Sequence, residues 1–130
     1  ISQAPFKSDT ADVLLSVFAP LFEQELARLA APNATLVVAS PGPWHLKELK
    51  EYIYADVAKH TEIDTPSGFI KADQKLITEQ VTLNFSDIKN LIMMTPFAWK
   101  FRPEHWQTLE EKGAQSVTLS FYITEFSKAD

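Results

Sequence analysis

One short segment of the chain joins aromatic rings to a pair of cations: Thr95-Pro96-Phe97-Ala98-Trp99-Lys100-Phe101-Arg102. Aromatic faces stack on unpaired nucleobases, and lysine and arginine neutralise phosphates. The segment therefore predicts a surface for a flat, anionic partner. Phe97 and Trp99 would offer flat ring faces, Thr95 a hydrogen-bonding hydroxyl, and Lys100 and Arg102 positive charge. The alternative is that these rings only pack between a helix and a sheet.

Two other positions have residue types that suit a reaction site. His45, at the start of a predicted helix, is a candidate for a general base, because an imidazole titrates near neutral pH. The alternative is that it only hydrogen-bonds locally. Ligands in open α/β sheets bind beyond the carboxyl ends of strands. The end of the first apolar run is therefore predicted to contact a ligand through its backbone: Ser16, Val17, Phe18, Ala19 and Pro20.

The first half of the chain alternates between predicted strands and helices. Ala11–Phe18 is an apolar run without clean alternation, which predicts a strand buried on both faces. Leu21–Ala30 has the spacing of an amphipathic helix. Thr35–Ala39 predicts a second strand, so the three elements form a right-handed βαβ unit. A second helix over Trp44–His60 is predicted from four regularly spaced apolar residues: Leu46, Leu49, Ile53 and Val57.

The second half of the chain predicts two more strands with helices between them. Lys75–Phe85 alternates as a strand does, although a helix is not excluded. Ser86 and Asp87 are predicted to cap a short helix that runs to Met94. Pro103 would begin another helix, which ends near Glu111. Ser116–Phe126 is the clearest strand pattern. The predicted fold class is α/β, with a parallel βαβα arrangement followed by an antiparallel edge strand.

Composition limits what kind of protein this is. The 130 residues, 45% of them hydrophobic, suffice for a single domain with a buried core. A net charge of −5 argues against a free-standing basic nucleic-acid binder but allows a local basic patch. Cysteine is absent, and the remaining histidines, His60 and His105, have no partners at metal-ligand spacing, so no metal site is predicted. We expect a cytoplasmic protein without membrane contact.

Three groups of segments carry a family resemblance: Ala4–Asp12 with Phe18-Ala19-Pro20; Glu25–Arg28 with Ser40–Leu49; and Met94–Trp99 with Arg102–Glu104 and Trp106–Leu109. Together they resemble the C-terminal half of the class I (Rossmann-like) methyltransferase domain of bacterial 23S ribosomal RNA (guanine-N(1))-methyltransferases. The third group is the most specific to this family. One departure is Ala31-Pro32-Asn33-Ala34, which replaces the usual Lys-Pro-Gly-Gly turn and puts the turn geometry in question.

The resemblance implies a function for the parent enzyme. S-adenosylmethionine would be the cofactor, in contact with Ser16–Pro20, and ribosomal RNA the substrate, with its guanine at Thr95–Arg102. The family also has an N-terminal zinc module and a Gly-rich cofactor loop. Neither pattern occurs in residues 1–130, and the chain begins at Ile1 rather than Met. We therefore expect a truncated or processed C-terminal portion that is inactive alone. The alternative is a non-catalytic α/β interaction or ligand-binding module.

The resemblance also predicts how the chain associates. In the family's sheet, the strand that corresponds to Ala11–Phe18 pairs with a strand from the first half of the domain. Without that neighbour, Ala11–Phe18 would expose an apolar edge, and exposed edges pair with other chains. We expect a homodimer or a strand-exchanged assembly through this segment.

Overall fold

The computed structural model describes residues 3–129, which form a four-stranded sheet with helices. The strands are β1 (Ala11–Val17), β2 (Ala30–Pro41), β3 (Phe69–Leu83) and β4 (Gln115–Lys128). The helices are α1 (Glu23–Leu29), α2 (Lys47–Lys50), α3 (Phe85–Met93) and α4 (Pro103–Lys112), with a 3₁₀ turn at Ala98–Lys100. Among these helices, none is long and apolar enough to cross a membrane.

The sheet is mixed, with the strand order β1-β2-β4-β3. β1 runs parallel to β2, and β2 runs antiparallel to β4. β3 and β4 are also antiparallel, because their side-chain hydrogen bonds progress in opposite directions: Gln74 to Thr124 (3.2 Å) and Gln80 to Thr118 (3.4 Å). The α/β class is thus confirmed. The antiparallel strand β4, however, lies between β2 and β3 and not at the edge, because local patterns do not specify which strands become neighbours.

The described chain divides into two compact units, each with its own apolar core. Unit 1 contains residues 3–42, 61–77 and 121–129. Its core comprises Ala30, Ala34, Leu36, Val38, Phe69 and Phe126. Unit 2 contains residues 43–60 and 78–120. Its core comprises Leu46, Leu49, Ile88, Ile92, Phe101, Leu109 and Val117.

Strand β1 is not buried on both faces as predicted. Val13, Leu15 and Val17 are 67%, 70% and 53% exposed. Leu14, which points to the opposite face, packs against the unit 1 core. Within the described chain, only the face of β1 that carries Leu14 packs against a core, and β1 is also the edge strand of the sheet.

The predicted helix over Trp44–His60 is also wrong, because only Lys47–Lys50 is helical. Trp44 and Leu46 adopt left-handed backbone conformations, with φ of 60° and 56°. Such residues cannot continue a right-handed helix. The backbone N–H of Leu46 instead donates to the carbonyl of Thr118 in β4, at 2.8 Å. The chain turns as far as Ile53 and is irregular from there to position 60.

Several predicted boundaries are shifted. Asn84, and not Ser86 or Asp87, caps α3, since its side chain accepts a hydrogen bond from the Asp87 N–H at 2.8 Å. Pro103 begins α4, as its sequence position predicts. In the turn that departs from the family's pattern, Asn33 takes a positive φ of 64°. Asparagine tolerates this conformation better than most residues, so the turn geometry is compatible with its sequence.

Candidate nucleic-acid interface

The aromatic corner follows the end of α3 in unit 2. The Thr95 hydroxyl donates to the carbonyl of Ile92 at 2.6 Å and so completes the last turn of the helix. The chain then enters the 3₁₀ turn, which leaves the Trp99 side chain 78% exposed. An exposed large aromatic ring offers a face to a partner. Thr95 mainly stabilises the corner, and Trp99 is the ring that it presents.

Lys100 links Trp99 to a second ring that the sequence did not indicate. Its Nζ lies 5.4 Å from the centroid of Trp99 and 4.5 Å from that of Tyr54. Both distances are within the roughly 6 Å at which a cation is attracted to a ring face. The arrangement places a positive charge among exposed and partly buried aromatic surfaces.

A second cation lies against the other predicted ring. The Nζ of Lys50 is 5.7 Å from the centroid of Phe97 and 2.8 Å from Nε2 of His60. Burial lowers the pKa of Lys50. Burial, and then the charge of Lys50, lower the pKa of His60. Neutral His60 therefore accepts a hydrogen bond from the Lys50 ammonium. We call these residues the cation–aromatic corner: Lys50, Tyr54, His60, Phe97, Trp99 and Lys100.

The other predicted residues of this segment have different surroundings. Phe97 is partly buried and packs against the unit 2 core, with its ring 6.4 Å from that of Phe101. Arg102 is exposed and directly precedes α4, where its backbone N–H donates to Nδ1 of His105 at 3.0 Å. Trp106 packs against the same core. The structure thus brings Trp99 and Lys100 together at the surface, while Phe97 serves both the core and the corner.

His45 accepts a hydrogen bond from the backbone and is not arranged as a general base. Its Nδ1 accepts from the backbone N–H of Ser120 at 3.0 Å. Burial, followed by the charges of Lys50 and His60, lowers the pKa of His45 to about 4. The ring is therefore neutral at pH 7, with its proton on Nε2. Because the lone pair of Nδ1 is already used, His45 has no nitrogen ready to remove a proton.

His45 and Glu48 together satisfy the backbone of β4. The Glu48 carboxylate accepts from the Thr118 N–H at 2.8 Å and from the Thr118 hydroxyl at 2.6 Å. Burial raises the pKa of Glu48, but these hydrogen bonds outweigh it and the pKa is lowered overall. Both side chains thus accept hydrogen bonds from backbone N–H groups of β4. These bonds hold the turn that precedes α2, with its left-handed residues Trp44 and Leu46, against β4.

The predicted cofactor-contacting segment borders a cavity in unit 1. The cavity has a volume of about 600 Å³ and is lined by Ser16, Val17, Ala19 and Pro20, together with Leu21, Phe22 and Leu26. Phe18 has a positive φ of 49°, which is strained for a bulky residue, and its backbone N–H donates to the Ala39 carbonyl at 2.9 Å. The volume lies within the roughly 300–1,000 Å³ range of small-molecule sites.

The lining of this cavity is mostly apolar. Its one charged lining residue is Glu25, whose carboxylate bonds to Arg28 and to the backbone N–H of Ala4. These bonds, first that to Arg28 and then that to Ala4, lower the pKa of Glu25. The cavity can therefore hold flat apolar surface, but its carboxylate is already paired.

A second cavity, in unit 2, has a different character. It measures about 380 Å³ and is lined by Glu48, Glu51, Tyr52, Lys112, Gln115 and Ser116. The Tyr52 hydroxyl donates to Gln115 at 3.1 Å, and Lys112 lies 5.2 Å from the Tyr52 ring. Its two carboxylates make it less suitable for a polyanion than the cation–aromatic corner. Within residues 3–129, no group of three or more His, Cys, Asp or Glu side chains could hold a metal ion.

Sequence reasoning missed three members of the corner, namely Lys50, Tyr54 and His60. The predicted helix over Trp44–His60 would hold Lys50 and His60 apart, but the helix ends at Lys50 and the following chain brings Nε2 of His60 to the Nζ of Lys50. No short sequence spacing indicates such a return. The aromatic and basic composition of positions 50 to 60 was the one available signal.

Comparison with known proteins gives sequence relatives of one kind. The chain is 27% identical over 129 residues to a Bacillus subtilis protein provisionally named a 23S rRNA (guanine-N(1)-)-methyltransferase, covering 95% of this chain and 46% of that protein. It is 28% identical over 127 residues to the 23S rRNA (guanine(748)-N(1))-methyltransferase of Streptomyces fradiae, covering 92% and 45%. No protein-family model matches the chain. The predicted resemblance to this family is confirmed, and the chain spans about half the length of the curated relatives it matches.

A solved structure shows the same fold. A Bacillus halodurans protein, provisionally described as a methyltransferase, superposes with a TM-score of 0.59 at 15% identity, covering 99% of this chain and 69% of that one. At this identity the likeness concerns the fold alone. It confirms the predicted class I methyltransferase architecture for the described sheet and helices.

Proposed function

We propose that this chain, whose sequence relatives are 23S rRNA (guanine-N(1)-)-methyltransferases, supplies the RNA-contacting C-terminal portion of such an enzyme. The complete enzyme would transfer a methyl group from S-adenosylmethionine to N1 of a guanine in ribosomal RNA, in the cytoplasm. Residues 1–130 would form one part of its methyltransferase domain. The observation that carries the proposal is the cation–aromatic corner, whose Phe97 and Trp99 lie in the segment most specific to the resembled family.

The corner suits RNA for two physical reasons. Trp99 exposes most of its ring, and base–aromatic stacking contributes about 1–3 kcal/mol per base. Lys100 lies beside that ring and can neutralise a phosphate next to the stacked base. Phe97, which the core holds in place, would provide the rigid wall of a slot for the base. The chain as a whole has a net charge of −5, so the lysines of the corner form a local basic patch on an acidic protein.

The cofactor would lie beyond the carboxyl end of β1. When bound, S-adenosylmethionine supplies an activated methyl group on its sulfonium. Ser16–Pro20 would contact it through the backbone, and the apolar cavity lining would cover its adenine. We assign His45 no role in removing the guanine proton, because its Nδ1 already accepts from Ser120. Zinc, in an N-terminal module of the complete enzyme, remains a prediction from the family resemblance.

The function can be tested by a segment exchange. Residues 1–130 would replace the matched segment of the Bacillus subtilis relative, and the chimera would be expressed in cells that lack that methyltransferase. Methylation at N1 blocks the pairing edge of guanine, so it arrests reverse transcription on 23S rRNA. Cells without the methyltransferase should show no arrest of reverse transcription at the modified guanine. We expect the chimera to restore this arrest, and the Trp99→Ala chimera to restore it much less. A soluble, folded chimera that leaves the rRNA unmodified would contradict the proposal.

We further propose that residues 1–130, when separated from the rest of the enzyme, pair through β1 with a second copy of themselves. The three outward side chains of β1, Val13, Leu15 and Val17, are exposed, and its backbone edge is free of a strand neighbour on one side within the described chain. An exposed apolar edge strand is a template for pairing. Light scattering should show a mass that rises towards a dimer with concentration, and Leu15→Lys should keep the chain monomeric. A monodisperse monomer at high concentration would exclude this association.

A further inference from the structure

Lys50 occupies an unusual position for a lysine. It is partly buried, and its ammonium has two close neighbours, the ring of Phe97 and Nε2 of His60. Neither neighbour carries a negative charge. Among residues 3–129, the ion pairs join Arg28 to Glu25 and Lys71 to Glu62, and Lys50 is in none of them. A partly buried cation without a counter-charge is costly unless something else supplies one.

The groups around Lys50 add to the local positive potential. Lys50 and His60 both disfavour protonation of His45, which places all three groups close enough to interact electrostatically. Burial lowers the pKa of Lys50, as expected for an ammonium that has lost water without gaining an anion. An anion at this point would gain a charge-assisted hydrogen bond from Lys50. Because Nε2 of neutral His60 accepts from Lys50, the ring carries its proton on Nδ1, which is a second donor.

From this geometry we infer that Lys50 and His60 form a binding site for one phosphate of the RNA backbone, next to the aromatic corner. This inference rests on the proposed function, since the ligand is a phosphodiester of the same RNA strand. Lys50 supplies the charge, His60 the second donor, and Phe97 fixes the ammonium by its ring face. This site and Trp99 would therefore contact different parts of the RNA. Lys50 and His60 would bind a phosphate of the RNA backbone, whereas Trp99 would stack on a base.

The test is the salt dependence of RNA binding. Fluorescence anisotropy would follow a labelled single-stranded RNA of about 12 nucleotides. We expect Lys50→Gln to weaken binding on the order of five-fold and to reduce the slope of log K against log salt by about 0.7, the value for one phosphate contact on a single strand. Lys89→Gln, which removes the same charge from an exposed position on α3, should leave the slope unchanged.

Two further measurements keep the inference testable if Lys50→Gln disturbs folding. Lys50→Arg retains the charge and should retain the slope. In the unsubstituted chain, RNA should shift the His60 ring resonances, whereas a peptide nucleic acid of the same sequence, which has bases but no phosphates, should not. A slope that is equal in Lys50→Gln and Lys89→Gln, with unmoved His60 resonances, overturns the phosphate site alone. Failure of the unsubstituted chain to bind any RNA overturns the proposed function as well.

Discussion

The molecule exposes large apolar side chains in two regions of opposite chemistry. In unit 1, the outward face of β1 presents Val13, Leu15 and Val17 without an interleaved cation. In unit 2, Trp99 is exposed beside Lys100, which also contacts Tyr54. Aliphatic side chains on an edge strand suit another polypeptide, whereas rings alternating with cations suit a polyanion. Exposure alone therefore does not identify a partner, and the neighbouring charges do.

The largest expected effect separates the two faces of the unit 1 sheet. Leu36 is fully buried in β2, so Leu36→Ala should reduce the free energy of unfolding by about 2–5 kcal/mol. Leu15 is 70% exposed, and Leu15→Ala should change it by less than about 0.5 kcal/mol. Urea unfolding at dilute protein concentration measures both. A large loss for Leu15→Ala would mean that the β1 face is covered.

The next largest effect concerns RNA binding by Trp99, the most exposed ring of the cation–aromatic corner. Trp99→Ala should weaken binding of single-stranded RNA by about 1–3 kcal/mol, because it removes one stacking platform. Trp44→Ala is the matched control, since Trp44 is also exposed but has no cation against its ring among the described contacts. Anisotropy titrations at one salt concentration compare them. Equal losses of RNA affinity in Trp99→Ala and Trp44→Ala would show that the lysine beside Trp99 makes no difference to RNA binding.

A smaller effect tests how unit 2 responds to added positive charge. The pKa of His45 is lowered to about 4 from an ordinary value near 6.5, so the unfolded chain binds its proton first as pH falls. Stability should therefore be full above about pH 6.5 and fall between pH 6.5 and 4, with the lowered pKa of His60 acting in the same direction. His45→Gln should flatten part of this slope in urea unfolding between those pH values. An unchanged slope would mean that His45 titrates normally.

The sequence predicted the elements whose patterns are local. β1 and the middle of β2 follow from short apolar runs, and α1 follows from amphipathic spacing, although β2 begins at Ala30 and not at the predicted Thr35. Pro103 marks the start of α4. The helix from Trp44 to His60 failed although its apolar spacing is regular. Glu48 and His45 bond to the backbone of β4, and this long-range gain outweighs helix propensity.

The candidate site was predicted only in part, because only some of its contacts are local in sequence. Trp99 and Lys100 are adjacent in sequence, so their composition alone indicated a shared surface. Tyr54 and His60 join them only through the irregular segment after Ile53, which no periodicity describes. His45 looked like a base because of its residue type, but its tautomer depends on Ser120, which is 75 positions away.

One measurement tests the contrast between the two regions most directly. Two-dimensional NMR of the isotope-labelled chain would follow backbone, indole and methyl signals during titration with single-stranded RNA. We predict the largest shifts at the Trp99 indole N–H and at Tyr54, His60 and Lys100, with the methyl groups of Val13, Leu15 and Val17 unmoved at dilute protein. Shifts concentrated on the β1 methyl groups, with the Trp99 indole unmoved, would contradict the assignment of the cation–aromatic corner to RNA.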